Sequence, residues 1–529
     1  MVATDTQKAL RFHEIVERDA KKVPVVSTTA VAVKLLLLFP LWLTLVLPLT
    51  IVYQVGKALF GLLPRKNNAI DSELEATSMV VSASDIIPRP DRKHDVVVLG
   101  ATGFTGGLAV RHLAKTYGPG NGGSVKWAIA GRSEAKLRAV LKRLASELGM
   151  PKLADEGAVD LIICDTSDAS TLPSLVRNTR SVATTAGPFS LYGKGVVETC
   201  AKYGTHYADI TGETSFVKLM KSKYQQDAID SGARIVSLCG NDCVPWDLSY
   251  NLLADEFAST DETLESVEFQ NEFSAQASGG TLKTMCMGLS GRLAQIQPHE
   301  ENLLRRPFGS ASEHGPPMEN AINNGIQKGV QKPWKMTNDA TDQEDSLVEG
   351  PFVMAAVNYE AVGFSHALRK DPKCSYKEQL LLPDFKTALD GSLTLLLFFT
   401  SLMNPLTLGL IEKLITQPGD GPDLRSMEED YFLAVTGTAR GSKGTVIQSL
   451  LYYNRDPGYL ETARMLVESA LCLALEEEAV SKNIAEVVGE TTQASGGFFS
   501  PGFAMRKNLL QRLVDTGCHY DIRVLKDER

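Results

Sequence analysis

Several motifs of well-known enzyme classes are absent from this 529-residue chain. It has no H-E-x-x-H metal-binding helix, no G-x-S-x-G nucleophile turn and no phosphate-binding P-loop, which removes support for metalloprotease, serine-hydrolase and kinase functions. Its eight cysteines are scattered and include no C-x-x-C pair. The sequence therefore predicts neither a disulfide framework nor a thiolate zinc site, and a reducing compartment fits best. No metal site is expected.

Charge of one sign is not in large excess either. The chain carries 54 Lys and Arg against 63 Asp and Glu, a formal net charge of -9, with a pI near 5.6. A basic surface of the kind that binds nucleic acid is therefore not expected. With 43% apolar and 22% charged residues, the chain has the composition of a globular protein, and its length leaves room for two or three domains.

The most unusual segment is an apolar run near the N-terminus. From Leu35 to Val55 the chain reads LLLLFPLWLTLVLPLTIVYQV, 21 residues without a formal charge, and about 20 apolar residues suffice for a helix to cross a hydrocarbon core. The run follows a polar stretch, exceeds the length of a signal-peptide core and lacks an A-x-A exit, so a retained membrane anchor is predicted. Pro40 and Pro48 each remove a helical hydrogen bond, and basic residues flank both ends. A kinked span and a hairpin within one leaflet both stay open.

A second apolar run covers Leu393 to Leu410, 18 residues with Asn404-Pro405 in its second half. This length is marginal for spanning a bilayer. The run predicts a monotopic membrane contact, and a core helix is the alternative.

Short β-rich runs alternate with helical patterns after a polar stretch from Asn67 to Lys93, which predicts a linker. Six such runs lie between His94 and Cys239: DVVVLG, VKWAIAG, VDLIICD, SVATTAG, HYADITG and RIVSLCG. Regular alternation of this kind predicts a doubly wound parallel sheet of the α/β class. After Trp246 the pattern becomes irregular and predicts an inserted α+β domain, with strand candidates at Ser266–Phe269, Phe352–Val357 and Tyr431–Val435.

A glycine loop follows the first of these strands. The segment VVVLGATGFTG places Gly100, Gly103 and Gly106 directly after an apolar strand and at the start of a helical pattern. Glycine permits the sharp turn, the close approach of backbone to a pyrophosphate and the packing of helix on strand, and the helix N-terminus offers N–H groups to the anion. The spacing is G-x-x-G-x-x-G rather than G-x-G-x-x-G. Strand, turn and helix in this order nevertheless predict a dinucleotide-binding Rossmann domain.

The end of the second strand indicates which dinucleotide is bound. NAD sites usually carry Asp or Glu there for the ribose 2′-hydroxyl, whereas this chain has Gly131-Arg132-Ser133. A guanidinium and a hydroxyl can hold a 2′-phosphate, so NADP is predicted in preference to NAD. Asp165 is expected near the adenine, and the segment 186–188 near the nicotinamide ribose. The predicted cofactor-binding residues are Gly100, Ala101, Thr102, Gly103, Phe104, Thr105, Gly106, Arg132, Ser133, Asp165, Ala186, Gly187 and Pro188.

Candidates for proton transfer come from the carboxyl ends of the strands, where ligands of open α/β sheets bind. The polar groups there are Tyr192, Lys194, Asp209, Thr211, Glu213, Asn241, Asp242 and Asp247. We single out Tyr192, Asp209 and Asp242 as catalytic candidates, whereas Thr211 and Asp247 resemble turn and helix-cap residues. The only Tyr-x-x-x-Lys pair, Tyr53 and Lys57, lies upstream of the glycine loop beside the apolar run, and we interpret it as a chance match.

Seven motifs occur in order along the chain: VVVLGATGFTG, AGRSEAKL, TTAGPFSLYG, GTHYADITGE, GNDCVPWDL, DPGYLETA and GGFFSP. Over about residues 94–529 they resemble the saccharopine dehydrogenase-like oxidoreductases, which include the mycobacterial trans-acting enoyl reductases. The resemblance implies a Rossmann domain with an inserted substrate domain, and the association with membranes and lipid droplets that the family's animal members show. The chain departs from the family at the turn after the sixth strand, where the family pattern is closer to FDSVPSDL, and in its N-terminal anchor.

Together these features predict an α/β protein with a Rossmann doubly wound parallel sheet, an inserted α+β domain and an N-terminal membrane segment. The expected divisions are a tail and anchor at 1–66, a linker at 67–93, the NAD(P)-binding Rossmann domain at 94–247, a substrate domain at 248–495 that contains the apolar segment 393–410, and a C-terminal helix and strand at 496–529 that return to the Rossmann domain.

Three functions stay open at this point. We favour a membrane- or lipid-droplet-associated NADP-dependent oxidoreductase that reduces a lipid or acyl substrate, at the endoplasmic reticulum or a droplet, with its catalytic domain facing the cytosol. The alternatives are a non-catalytic nucleotide-binding scaffold at lipid droplets and a saccharopine dehydrogenase of lysine metabolism. Basic residues between Trp246 and Met354 form no obvious clamp for a substrate with several carboxylates, which weakens the last alternative. A homodimer is also expected.

Overall fold

The computed structural model describes residues 26–52, 81–260, 262–276, 347–402, 405–414, 421–489 and 496–525, with short stretches at 15–16, 18–20, 22–23, 319–320 and 327–330 and single residues at 55 and 286. The strands in chain order are β1 His94–Leu99, β2 Trp127–Gly131, β3 Asp160–Ile163, β4 Thr179–Thr184, β5 His206–Asp209, β6 Arg234–Val236, β7 Leu264–Ser274, β8 Glu319–Asn320, β9 Gln327–Val330, β10 Leu347–Gly350, β11 Ser375–Leu382, β12 Phe432–Gly441, β13 Val446–Tyr453, β14 Gly497–Phe499 and β15 His519–Leu525.

The helices begin with α1, which runs over Thr28–Val52 and includes π-helical turns at Lys34–Leu38 and Trp42–Val46. The others are α2 Phe104–Tyr117, α3 Glu134–Glu147, α4 Leu172–Val176, α5 Phe189–Tyr192, α6 Lys194–Tyr203, α7 Thr214–Ser231, α8 Val244–Ala258, α9 Ala355–Arg369, α10 Phe385–Leu402, α11 Pro405–Leu414, α12 Leu424–Glu429, α13 Thr462–Leu475, α14 Glu477–Val488 and α15 Pro501–Asp515.

The first sheet has seven parallel strands in the order β14-β6-β5-β4-β1-β2-β3. Its central strand β1 pairs with β2 and β4, and Val97 lies opposite Ala128 on one side and Val182 on the other. These three side chains have no exposed surface, because helices cover both faces of a parallel sheet and its strands are correspondingly apolar. All six strand candidates between residues 94 and 239 are confirmed, as is the doubly wound parallel sheet.

The second sheet has eight strands in the order β15-β13-β12-β7-β11-β10-β9, with β8 beside β11. It is mixed, because β7 pairs antiparallel with β12 and parallel with β11. The strand predicted at Ser266–Phe269 is part of β7, and that predicted at Tyr431–Val435 is the start of β12. Helix α13, which comes from this half of the chain, packs on β1, β4 and β5 of the first sheet, so the two sheets share one core.

Two sequence predictions in this half are wrong. Phe352–Val357 is not a strand: residues 353–354 form a turn and α9 begins at Ala355. A short apolar run does not distinguish a strand from the start of a buried helix, and the buried stripe of α9 continues through Ala361 and Phe364.

The C-terminal strand was also assigned to the wrong sheet. β15 pairs with β13 of the second sheet and not with the Rossmann sheet. It is β14, within the GGFFSP motif, that extends the Rossmann sheet by pairing with β6. Three residues are too few for alternating polarity to identify a strand.

The two apolar runs both form helices. α1 is long and apolar enough to cross a membrane, with 11% of its most apolar window buried, and it runs to Val52 without reversing direction. The run from Leu393 to Leu410 falls on α10 and α11, whose described ends at Leu402 and Pro405 flank Asn404. Within the described residues α1 is the one helix with the length and composition of a membrane span.

Candidate active and cofactor site

The glycine loop connects β1 to α2, as the sequence predicts. Gly100 has a φ of +87°, a conformation that residues with a Cβ avoid. A Cβ on Gly106 would lie 2.1 Å from the carbonyl oxygen of Gly100, and a Cβ on Gly103 would lie 3.3 Å from the same atom. Side chains are therefore excluded at positions 100 and 106, and a ligand at this turn meets backbone.

The first turn of α2 is open to an anion. Gly103 is the N-cap of α2, and no side chain caps this end, so N–H groups and the positive end of the helix dipole are available. Thr102 and Gly103 are exposed, Phe104 and Thr105 are half-buried, and Ala101 is buried. A glycine cradle at an uncapped helix N-terminus fits the pyrophosphate of a dinucleotide.

Two other elements border this loop. Thr185, just after β4, donates its hydroxyl to the carbonyl oxygens of Leu99 and Gly100, at 3.3 and 3.2 Å. On the opposite side, the ring of Phe104 contacts that of Tyr459 edge-on, with centroids 5.3 Å apart. The DPGYLETA motif, which contains Tyr459, therefore packs against the glycine loop from the second half of the chain.

Arg132 and Asp165 lie close together beyond β2 and β3. Arg132 is exposed. The pKa of Asp165 is lowered by hydrogen bonds from the Ser167 hydroxyl and N–H, and further by the charge of Arg132. Ser133 is the N-cap of α3 and accepts a hydrogen bond from the N–H of Lys136 at 3.4 Å. An exposed guanidinium at the end of β2 fits a ribose 2′-phosphate.

The segment after β4 lies at the same edge as the glycine loop. Gly187 is exposed and Ala186 and Pro188 are half-buried. Glu213 fixes the helix that follows, because its carboxylate accepts hydrogen bonds from the N–H groups of Phe189 and Ser190 at 2.8 and 2.9 Å. The carboxylate of Glu213 therefore caps α5. It positions the segment that we predict near the nicotinamide ribose.

The three catalytic candidates occupy different surroundings. Tyr192 is 42% exposed at the end of α5. Asp209 has no exposed surface and accepts hydrogen bonds from the N–H groups of Thr211 and Leu238 and from the Ser237 hydroxyl. Burial raises the pKa of Asp209 to about 6. These contacts make Asp209 the residue that joins the loops after β5 and β6, and Thr211 is a turn residue as predicted.

Asp242 differs because it is only half-buried. Its one hydrogen-bond contact within the described residues is the amide of Asn241, at 3.5 Å. Burial raises its pKa to about 6. Asp242 follows β6, which is three strands from β1 in the sheet, a lateral distance of about 14 Å. Asp247, in contrast, is fully buried and accepts from the Ser365 hydroxyl and the Gly502 N–H, at 2.5 and 2.6 Å.

Sequence reasoning missed a buried polar cluster on the second sheet, which is close enough to Asp242 for the charge of that carboxylate to influence it. Its centre is Glu378 on β11, which is 2% exposed and accepts hydrogen bonds from the Tyr376 hydroxyl at 2.5 Å and the Asn358 amide at 2.8 Å. Burial, and to a smaller extent the charge of Asp242, raise the pKa of Glu378 to about 8. Asn271 also contacts Glu378, at 3.4 Å, and accepts from the indole N–H of Trp246.

One sequence signal marks this cluster. Glu378 shares the inward-facing register of β11 with the buried Tyr376, where an alternating strand normally places apolar side chains. A carboxylate at such a position is uncommon unless it is paired or functional. The sequence pattern does not predict β11 itself, so this signal becomes visible only in the structure.

Comparisons with known proteins identify the family of the chain. Residues 96–236 match the model of the saccharopine dehydrogenase NADP-binding domain. The trans-acting enoyl reductase of Mycobacterium tuberculosis (strain ATCC 25618 / H37Rv) is 30% identical over 445 residues, which are 81% of this chain and 97% of that protein. The trans-acting enoyl reductase of Mycobacterium ulcerans (strain Agy99) is 30% identical over 441 residues, which are 80% and 97%.

Among solved structures, the apo saccharopine dehydrogenase (L-Glu forming) of Saccharomyces cerevisiae covers 81% of this chain and 99% of its own, with 10% identity and a TM-score of 0.41. The family therefore rests on the sequence matches. The match to the domain model supports NADP as the cofactor, as the residues at the end of β2 predict. From these matches and the fold that carries them, the chain belongs to the saccharopine dehydrogenase-like family of NAD(P)-dependent oxidoreductases, which includes the trans-acting enoyl reductases.

Proposed function

We propose that this protein is an NADP-dependent reductase of a lipid or acyl substrate that works at a phospholipid surface, on the endoplasmic reticulum or a lipid droplet, with its catalytic body in the cytosol. The observation that carries the proposal is the match to trans-acting enoyl reductases over 81% of the chain. The apolar helix α1 and the half-exposed leucines of α10 support the surface.

The cofactor supplies the hydride in such a reduction, so the protein must orient the substrate, exclude water and supply a proton. We assign the proton to the carboxyl cluster of Asp242 and Glu378. With pKa values of about 6 and about 8, this pair retains a proton at pH 7, and mainly on Glu378. Asp242 is the more accessible of the two, and it follows β6, at the carboxyl edge of the sheet where we predict the cofactor site.

The phospholipid surface is supported by apolar side chains of α1 that are exposed within the described part of the chain. Leu36, Leu37 and Val52 of α1 are 73%, 64% and 69% exposed, and exposed apolar surface on this scale marks an interaction site. A substrate with a long acyl chain partitions into the same surface. An anchored enzyme meets such a substrate at high local concentration, which is the advantage that we infer for α1.

The test is NADPH oxidation by the full-length protein on phosphatidylcholine vesicles, with a panel of short-, medium- and long-chain α,β-unsaturated acyl thioesters. We expect turnover that increases with chain length. The Gly106→Val variant should lose it and the Gly122→Ala variant should retain it, because a Cβ at Gly122 would meet no atom within 4 Å.

Two other outcomes would overturn the proposal. Tight NADPH binding without turnover of any thioester would favour the scaffold function. Reduction of NADP that depends on saccharopine would favour an enzyme of amino-acid metabolism.

A further inference from the structure

The chain before α1 is attached to the catalytic body. Val16 and Val23 are buried on the second sheet, in a cluster with Phe432 and Tyr452. Asp19, between them, has no exposed surface. Its carboxylate accepts a hydrogen bond from the Tyr452 hydroxyl and lies 3.2 Å from the ammonium of Lys22.

The first turns of α1 are attached to the same body through α10. The ammonium of Lys34 lies 2.6 Å from Asp390 Oδ2 and 2.7 Å from Thr394 Oγ1. Just before the helix begins, the N–H of Val26 donates to Thr387 Oγ1 at 3.2 Å. Lys34 is the last charged residue before the apolar run, so this ion pair lies where the apolar part of α1 begins. Beyond it, most of α1 is exposed, and Trp42 and Thr50 are buried.

The chain after α1 returns to the body before β1. The guanidinium of Arg92 is buried and donates to the carbonyl oxygens of Thr179 and Tyr203, at 2.9 and 2.7 Å. Arg89 lies 3.0 Å from Glu477. Residues 85–92 are therefore tied to the amino end of the Rossmann sheet.

These two attachments limit the path of α1 in a membrane. Because the segments on both sides of α1 are bound to one body, they lie on one side of the bilayer, and the chain between them crosses it an even number of times. A second crossing requires about 20 apolar residues. Between Gln54 and Val80 the longest uncharged run is Ala58–Pro64, seven residues.

We propose that α1 is a one-leaflet anchor that enters the membrane at Lys34 and never crosses it. This inference rests on the membrane attachment proposed above and adds its topology. The 18 residues of α1 after Lys34, Leu35–Val52, form about 27 Å of helix, whereas the hydrocarbon of one leaflet is about 15 Å deep, so α1 lies strongly tilted. Such an anchor needs a single leaflet, and a phospholipid monolayer on an oil phase holds it as well as a bilayer does.

The experiment places single cysteine reporters on the full-length protein bound to sealed vesicles. Gln7→Cys reports on the segment before α1, Asn68→Cys on the segment after it, and Lys482→Cys on the exposed surface of the body. The eight native cysteines are buried, so labelling of the unmodified chain gives the background. The readout is labelling by a membrane-impermeant maleimide before and after detergent.

A one-leaflet anchor predicts that Gln7→Cys and Asn68→Cys label as completely as Lys482→Cys, with no increase on adding detergent. If either of the two labels only after detergent, the chain crosses the bilayer and the inference is wrong, while the membrane attachment stands.

Flotation of the same vesicles separates the two proposals. Unmodified protein that does not float with the vesicles rejects the attachment itself. As a matched pair, Leu37→Asp should lose flotation, whereas Leu191→Asp, at a side chain that is 49% exposed on the Rossmann body, should retain it.

Discussion

The two ends of the seven-stranded sheet are built in opposite ways. At the carboxyl end, glycine turns and the uncapped start of α2 leave backbone N–H groups facing outward. At the amino end, four arginines surround Glu477: Arg89, Arg92, Arg180 and Arg234. Arg234 is 2% exposed. Burial and the neighbouring charge of Arg89 lower the pKa of Arg92 to about 10. The charge-rich end is the structural one, and the end that fits an anionic cofactor consists largely of backbone.

The largest expected effect on cofactor binding is at the carboxyl end. Gly106→Val places a side chain within 2.1 Å of the Gly100 carbonyl oxygen, so the turn must open and α2 must move away from the site of the pyrophosphate. We expect NADPH affinity to fall by more than about 100-fold, or about 2.7 kcal/mol. The measurement is a titration with NADPH that follows tryptophan fluorescence.

The Gly122→Ala variant is the control for this prediction, because it adds the same kind of bulk in a neighbouring loop with space around it. Thermal unfolding of both variants should show that each is folded. NADPH affinity within threefold of wild type for a folded Gly106→Val protein would remove the glycine loop from the binding site.

At the amino end, a substitution should lower the stability of the protein and leave cofactor binding unchanged. Arg92→Met keeps most of the side-chain volume but leaves the buried carbonyl oxygens of Thr179 and Tyr203 without their donor. We expect the free energy of unfolding to fall by about 3 kcal/mol, measured by urea denaturation, while the affinity for NADPH stays unchanged.

Arg138→Ala is the comparison variant, since it removes an exposed arginine that pairs with Glu134 on α3. Its cost should be below about 0.5 kcal/mol. Equal costs for the two arginine variants would contradict the assignment of the amino end as the structural one.

This contrast also explains how far the sequence alone could go. The six strands and the glycine loop were predictable because apolar runs, turns and helix starts are local patterns. β14 and the placement of β15 were not, because pairing between distant segments depends on tertiary packing. The same reason hid Glu378, whose partners Asn271 and Asn358 come from β7 and α9.

The roles of charged residues are harder to predict from the sequence than the strands and the glycine loop. Arg132 was identified from its place after β2, a local rule, and its role in NADP selection remains a prediction. Asp209 and Asp242 could not be separated in the sequence, because both follow strands of the same sheet. Only the structure shows that the Asp209 carboxylate accepts three hydrogen bonds and that Asp242 is only half-buried.

Arg132 gives a prediction of intermediate size at the carboxyl end. Arg132→Gln removes the guanidinium that we assign to the ribose 2′-phosphate but leaves the N-cap of α3 at Ser133. NADPH affinity should fall by about tenfold to thirtyfold, the value of one charge-assisted contact, while NADH affinity changes little. A parallel loss for both nucleotides would show that Arg132 supports the fold of the loop and does not select the cofactor.

The smallest expected effect concerns Glu378, the buried carboxyl group near the carboxyl end of the sheet. Its pKa rises from 4.5 to about 8 on folding, mainly through burial. The folded protein therefore holds a proton that the unfolded chain releases between pH 5 and pH 8, and the free energy of unfolding falls as pH rises through this window. Glu378→Gln cannot ionise, so this contribution disappears.

Relative to the wild type, the free energy of unfolding of Glu378→Gln should increase by on the order of 1 kcal/mol as the pH rises from 5 to 8. Urea denaturation at both pH values measures it, and Glu147→Gln on the exposed face of α3 is the control, because it should show no such shift. If the wild type and Glu378→Gln lose stability in parallel, Glu378 is ionised throughout the window. The carboxyl cluster would then hold no proton at neutral pH, and the proton of the proposed reduction would have to come from elsewhere.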